Sequence, residues 1–213
     1  RGIFIVGDRA AVRKNKITNL LYDPMIFVDG NDFMIEGNTL TNGAYYLTGI
    51  KTDGDATGAR TAVIRNNKIN NAPYYGIESY GNGVLIEGNK LKRIAYVGIY
   101  IEGNNNELNK NSVLESQNDA FRINGNSNRL AGCVVVNSSM DGFDIQGNAN
   151  VLDKCQAANC AAEGLDNGHG TNTVAIGCTL KGSRIDYAGN GTMADDTGTT
   201  YQTGGPGVAP EIN

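Results

Sequence analysis

The feature that most constrains this chain is a phrase that returns at a fixed step. Asp141-Gly142-Phe143-Asp144 comes back as Glu163-Gly164-Leu165-Asp166, 22 residues later. Asn118-Asp119-Ala120-Phe121 stands 22 residues earlier. Traced toward the N-terminus, the repeat starts fall at Gly2, Pro24, Gly49, Gly76, Gly98, Ala120, Gly142 and Gly164, with steps of 22, 25, 27, 22, 22, 22 and 22. A short, steady period means stacked units, each unable to bury its own apolar face.

The columns formed by the repeat give the unit its shape. The second position after each start reads Ile3, Met25, Ile50, Ile77, Ile99, Phe121, Phe143, Leu165. The fourth reads Ile5, Phe27, Thr52, Ser79, Ile101, Ile123, Ile145, Asn167. Alternation of this kind is a half-buried strand. A second strand carries Val12, Ile35, Ile64, Ile86, Leu108, Leu130 and Leu152, and a third carries Ile17, Leu40, Ile69, Leu91, Val113, Val135, Ala157 and Leu180. Three short strands and three turns make one coil of a parallel β-helix, with coils about 4.8 Å apart. The 29 glycines and frequent asparagines suit so many tight corners. The expected fold is all-β: a parallel β-helix of about eight coils over residues 1–186, then an irregular tail, 187–213, packing on the last coil.

One turn holds a ladder of Asn15, Asn38, Asn67, Asn89 and Asn111, which then becomes Cys133, Cys155 and Cys178. Stacked Asn side chains satisfy buried turn backbone. Cysteines at the same period read as small buried fillers. A disulfide within the stack, or Cys155–Cys160, is the alternative. One His and no Cys-x-x-Cys pair argue against zinc.

A net charge of −4 gives no basis for nucleic-acid binding. No apolar run reaches the ~20 residues of a membrane span. The chain opens at Arg1 inside the strand-like run "GIFIV", which reads as a trimmed or mature fragment.

The coil length, the Asn ladder and phrases such as "IEGNNNELNKNSV" and "VLIEGNKLKRIAYVGI" resemble the right-handed parallel β-helix proteins of the pectate-lyase-like superfamily. The resemblance covers about residues 1–180. It implies a polysaccharide-active or polysaccharide-binding protein: a lyase, a glycoside hydrolase, a uronate epimerase or a tailspike-like solenoid. It also implies an extracellular, periplasmic or cell-surface location.

Outward positions of the first strand read Phe4, Ile26, Lys51, Glu78, Tyr100, Arg122, Asp144, Asp166, and then Val6, Val28, Asp53, Tyr80, Glu102, Asn124, Gln146, Gly168. The first two coils are apolar here, so Phe4, Val6, Ile26 and Val28 call for a cover: a preceding segment, a loop or another subunit. From the third coil onward the face is polar and aromatic. Eight of the ten tyrosines flank or join it. Tyr75, Tyr80 and Tyr100, with Lys51, Asp53, Glu78, Glu102, Asn124 and Gln146, form the expected polysaccharide-binding surface, since flat rings with polar tips suit sugars. The insertion Asp53–Ala62 is either a border of that surface or a solvated loop.

Asp119, Asp141 and Glu163 share one column, and Asp144 and Asp166 a second, which Arg122 continues. Like charges about 5 Å apart raise one another's pKa, and such columns offer a sheet no evident structural gain. Three readings compete. A carboxyl pair could perform glycoside hydrolysis, which needs one acid protonated and one ionised about 5–9.5 Å apart. Asp141, Asp144, Glu163 and Asp166 could bind Ca2+. Or the acids are solvated turn residues whose side chains cap the Gly corner. Resemblance to the related lyases implies Ca2+ with an Arg, Lys or Tyr moving the proton. "NDAF" and "MDGF" resemble the Asp-bearing coils of the polygalacturonase family, which implies roles for Asp119 and Asp141. That family's Gly-His-Gly is matched out of place by Gly168-His169-Gly170, and its Arg-Ile-Lys by Arg184-Ile185-Asp186 without the Lys. His169, the only His, is the remaining base candidate. The catalytic set is thus Asp119, Asp141, Asp144, Arg122 and His169.

Overall fold

The computed structural model describes residues 2–186, 193–195 and 200–202. Its strands form three parallel sheets of nine strands each, and every strand pairs with its counterparts one coil before and one coil after. The first sheet runs from Ile3–Val6 through Ile50–Thr52, Ile77–Ser79, Ile99–Ile101, Phe121–Ile123 and Phe143–Ile145 to Glu163–Asp166 and Arg184–Asp186. The expected second and third columns pair as read: Ile86 lies between Ile64 and Leu108, and Leu91 between Ile69 and Val113. Most of the 187–213 tail lies outside the described residues. The two described pieces, Met193–Asp195 and Thr200–Gln202, add a last parallel strand to the second and third sheets. No helix among the described residues is long and apolar enough to cross a membrane.

One coil is framed differently from the sequence reading. Ile26, not Met25, pairs with both Ile3 and Ile50, and Val28 pairs with Ile5 and Thr52. Ile26 and Val28 are therefore fully buried. Phe27 faces outward and stacks on Phe4 at 4.8 Å. The run Met25-Ile26-Phe27-Val28 has no polar residue to mark a face, so periodicity alone cannot choose its frame. A one-residue slip exchanges inside and outside. The apolar surface of the first coils is thus Phe4, Phe27 and Val6, with Phe4 and Val6 exposed.

The interior is a continuous column of Ile, Leu, Val and Phe, with Phe121 stacked on Phe143 at 5.0 Å. At the corner after the first strand, the chain passes so close to the preceding coil that only glycine fits. A Cβ on Gly125 would lie 1.7 Å from the Gly103 carbonyl oxygen.

Ladders tie the coils together at their corners. In the buried Asn column each Nδ2 donates to the Oδ1 one coil on: Asn38 to Asn67 at 2.9 Å, Asn67 to Asn89 at 3.0 Å, Asn89 to Asn111 at 3.0 Å. Each also donates to a strand carbonyl behind it, as Asn89 does to Ile64 at 2.9 Å. The cysteines that follow are buried free thiols. Cys133 Sγ donates to the Leu108 carbonyl at 3.4 Å, taking over the backward bond but not the amide-to-amide link. A second buried ladder of Asn106, Asn128 and Asn150, and an exposed one through Asn82, Asn104, Asn126 and Asn148, accept backbone N–H groups from the neighbouring coil.

Truncating one rung strands several buried partners at once. Asn89→Ala leaves the Asn67 N–H and Nδ2 and the Ile64 carbonyl without their bonds, a cost of about 2–4 kcal/mol. We expect urea denaturation to show that loss, with Asn89→Cys less damaging than Asn89→Ala because a thiol can still reach Ile64. Equal midpoints for Asn89→Ala and wild type would mean that the ladder does not hold the coils.

Candidate functional site

The outward face of the first sheet carries two joined groups. The first is a path of tyrosines. Tyr74 and Tyr96 stack at 5.0 Å with planes 7° apart. Tyr75 packs between them and Tyr100, at 5.3 Å from Tyr96 and 5.2 Å from Tyr100. Tyr80 meets Tyr100 at 6.1 Å. The corner places Tyr74 and Tyr96 one above the other, and the strand register places Glu78 beside Tyr100 and Lys51.

Acids hold these phenols in place. Tyr80 donates to Glu78 at 2.6 Å, and Tyr100 to Glu102 at 2.7 Å. Buried Glu78 also accepts from Thr48 at 3.1 Å and faces Lys51 at 3.9 Å, whose ammonium lies 4.9 Å from the Tyr80 ring centre. Burial and the bond to Glu102 push the Tyr100 phenol up to about 12. Burial raises Tyr75 and Tyr80 further still. All three are neutral hydroxyls at physiological pH. Asn124 Nδ2 donates to the Tyr100 oxygen at 3.0 Å, while its own buried Oδ1 has no partner among the described residues.

The second group centres on Arg122. The register sets Arg122 between Tyr100 on one strand and Asp144 on the next. Its Nε donates to Asp144 Oδ2 at 2.9 Å, and its Nη2 reaches Asp119 Oδ2 and, at 3.3 Å, Asn118 Oδ1. Gln146 donates to the same Asp144 oxygen at 2.7 Å. A bond to Tyr96 links Arg122 to the tyrosines. Burial opposes the Arg122 charge, but Asp119 and Asp144 raise its pKa above the ordinary arginine value.

The acidic column does a structural job close to the third of the sequence expectations, that of acids capping the glycine corner. Asp119 Oδ1 accepts the Asp141 N–H at 3.1 Å, and Asp141 Oδ1 accepts the Glu163 N–H at 2.8 Å. This is the Asn ladder rewritten in carboxylates. The members of the column meet different surroundings. Asp119, only 1% exposed, has Arg122. Asp141 has no such cation, and burial, Glu163 and Asp119 together push it up to about 8. Burial, with Asp119 nearby, raises Asp144 to about 6 against the pull of Arg122.

Arg122, Asp119, Asp144 and Gln146 therefore come together, with Asp141 and Glu163 stacked behind them. Lys51, Glu78, Tyr75, Tyr80, Tyr100, Glu102 and Asn124 form the adjoining path. His169 is exposed in the turn that follows the strand Glu163–Asp166, beyond the strand end opposite Glu163. Asp53 is exposed beyond Lys51, and burial on one side raises its carboxyl pKa. Asp166 caps its own turn through the Gly168 N–H at 2.6 Å. The insertion is tied down where Asp32 accepts the Thr57 N–H at 2.7 Å. Asn118 and Tyr96 complete the Arg122 cage; their signal was the corner column Tyr74, Tyr96, Asn118, one position ahead of the acids. Of the expected Ca2+ ligands Asp141, Asp144, Glu163 and Asp166, Asp144 Oδ2 accepts from Arg122 and Gln146, and Asp141 Oδ1 accepts the Glu163 N–H. Among the described residues no three His, Cys, Asp or Glu side chains converge to hold a metal ion.

A family model for the right-handed β-helix region matches residues 1–108 and 97–202. The chain belongs to the right-handed β-helix family. Among solved structures, this β-helix is similar to the alginate lyase from Paenibacillus sp. str. FPU-7, at 12% identity and TM-score 0.47, over 88% of this chain and 75% of that one. It is also similar to the Siphovirus 9NA tailspike receptor binding domain, at 12% identity and TM-score 0.57, over 97% of this chain and 48% of that one. The chain thus spans about half the length of that tailspike domain, and at this identity the likeness is one of fold. No curated protein matches the sequence.

The raised Asp141 pKa has a definite sign. Its folded value lies above its unfolded value, so the folded state holds the proton more tightly. That contribution is full below about pH 4 and lost as pH rises through about 8. Wild-type stability relative to Asp141→Asn should fall from about pH 5 to about pH 9, with a slope of up to ~1.4 kcal/mol per pH unit. A pH-independent difference in denaturation midpoints would mean that Asp141 is ionised throughout.

Proposed function

We propose that this protein binds an acidic polysaccharide along the outward face of the first sheet and hydrolyses it beside Arg122. The observation that carries this reading is the union of a tyrosine path with a carboxyl group whose members differ in proton affinity. Sugar rings stack on Tyr75 and on Tyr100, the latter's hydroxyl being fixed by Glu102 and Asn124. The unpartnered Asn124 Oδ1 accepts a sugar hydroxyl. Arg122, already aimed across two strands, takes the uronate carboxylate.

Asp141 supplies the proton to the leaving oxygen, because it is still protonated near neutral pH. Asp144 is mostly ionised there and takes a proton from the attacking water, whose oxygen bonds to the sugar carbon as the glycosidic oxygen departs with the Asp141 proton. Asp141 and Asp144 stand three residues apart on one coil, Asp141 at the corner and Asp144 on the strand Phe143–Ile145. Elimination is the weaker route. It needs a base that gives up its proton readily, and Arg122 and Tyr100 are both pushed away from that role.

A second reading has its own support: binding without catalysis. Asp119 and Asp141 already spend an oxygen each on the coil ladder. A related fold serves receptor binding in the tailspike domain. The alternatives separate in one assay. With a panel of uronate polysaccharides we expect reducing ends to appear without the ultraviolet absorbance of an unsaturated uronate, and EDTA to leave the rate unchanged. Asp144→Asn should lower turnover by about 100-fold or more. Tyr100→Ala should weaken binding by about tenfold. Absorbance rising with reducing ends would replace hydrolysis by elimination. Binding that depends on Tyr100 with no new ends would leave the binding module.

A further inference from the structure

Around the corner from the tyrosines, where the third sheet turns into the first, lies an open cleft of about 610 Å3. Its lining comes from five successive coils, from Gly43 through Pro73, Ala95 and Gln117 to Ser139. It therefore runs along the helix axis for about four coil steps, on the order of 19 Å. None of its lining residues belongs to the first-sheet site. Its volume lies within the roughly 300–1,000 Å3 of ligand sites.

The sequence changes character where the cleft opens. One column of left-handed corner residues is Asn at Asn19, Asn42, Asn71, Asn137 and Asn159. These side chains link coil to coil, as Asn71 Nδ2 does to Asn42 at 2.7 Å. In the two middle coils the column holds Arg93 (φ 53°) and Glu115 (φ 62°) instead. Neither has the short side chain that makes Asn at ease in this conformation. Both line the cleft. Arg93 donates Nε to Asn71 Oδ1 at 2.7 Å and Nη2 to Asn70 Oδ1 at 3.0 Å. Two neutral amides orient the guanidinium and leave its charge uncancelled. Glu115 brings a carboxylate acceptor to the next coil, and Gln117 and Ser139 bring further hydrogen-bonding groups.

We propose that this cleft is a second saccharide-binding subsite, holding a uronate-containing segment of the glycan chain. The carboxylate of one sugar meets Arg93, and hydroxyls of its neighbours meet Glu115, Gln117 and Ser139. Arg pairs with planar carboxylates through two donors, and Glu and Gln accept and donate to hydroxyls. A cleft parallel to the helix axis, with one cation and mixed polar groups, suits a hydroxylated chain better than an apolar peptide. The assignment rests on the glycan reading given above, yet it concerns a different face. A long chain gripped at both faces of one corner gains by effective concentration, without any new contact at the tyrosine path.

The test uses hexameric oligomannuronate and oligogalacturonate as probes, with amide and side-chain NMR shifts reporting each face separately. Ala95 is exposed, so Ala95→Trp fills the cleft without touching the core. We expect probe-induced shifts at Ala95, Gln117 and Ser139, and about a tenfold weaker response there in Ala95→Trp and in Arg93→Ala. Shifts at Tyr75 and Tyr100 should persist in both variants. Arg93→Lys should recover part of the loss, which a purely steric role for Arg93 would not allow. Shifts confined to the tyrosine face would overturn the second subsite and leave the first intact. No shift at either face would remove both. Cleft shifts that survive both variants, or that appear with an acidic peptide but not with the uronates, would also overturn the assignment.

Discussion

Everything in this molecule depends on the bond between one coil and the next. A three-strand coil has too little apolar surface to stand alone, and its corners expose backbone groups that no strand can satisfy. The strands solve the first problem by parallel pairing. The corners solve the second with side chains that imitate the strand: an amide oxygen accepts the N–H one coil on, and an amide nitrogen gives to a carbonyl behind. Repeating at 22 residues keeps each rung above the last, and that repetition is why so many positions are Asn.

The site follows from the same geometry. A column that must accept a backbone N–H needs only an oxygen, and a carboxylate supplies one as well as an amide does. Where Asp119 and Asp141 take over that job, with Glu163 donating to the last of them, the ladder gains ionisable groups at no cost in shape. The parallel register then lays Arg122 between Asp119 and Asp144, and Tyr100 beside Arg122. Tuned acids, a fixed cation and an aromatic path arise because neighbours in space are one repeat apart in sequence.

This explains what could be read from the chain and what could not. The strands, their inward columns and the Asn ladder were legible, since each is a periodic choice between polar and apolar. The second coil was not, because Met25-Ile26-Phe27-Val28 offers apolar side chains in both frames. The acidic columns were legible as columns but not as ladder rungs: the sequence shows like charges in a row, while the compensating N–H groups belong to the backbone. The role of Asn118 and Tyr96 depends on where the long Arg122 side chain swings. The Arg93–Glu115 cleft left only a faint mark, an interruption in a column of asparagines that needs the corner conformation to be noticed.

The exchange of Asn111 for Cys133 has a consequence for how the rod comes apart. In a linear array with nearest-neighbour coupling, cooperativity extends only as far as the couplings are strong. Asn111 is the last amide of its ladder; from Cys133 onward each thiol reaches back to a strand carbonyl and meets the next rung through a weaker sulfur hydrogen bond. Along this corner the coupling therefore changes from amide links up to Asn111 to weaker thiol links beyond it. Arg122 and the acids follow that change and the tyrosine path precedes it, so the residues proposed for chemistry share their coils with the thiol links rather than the amide ones.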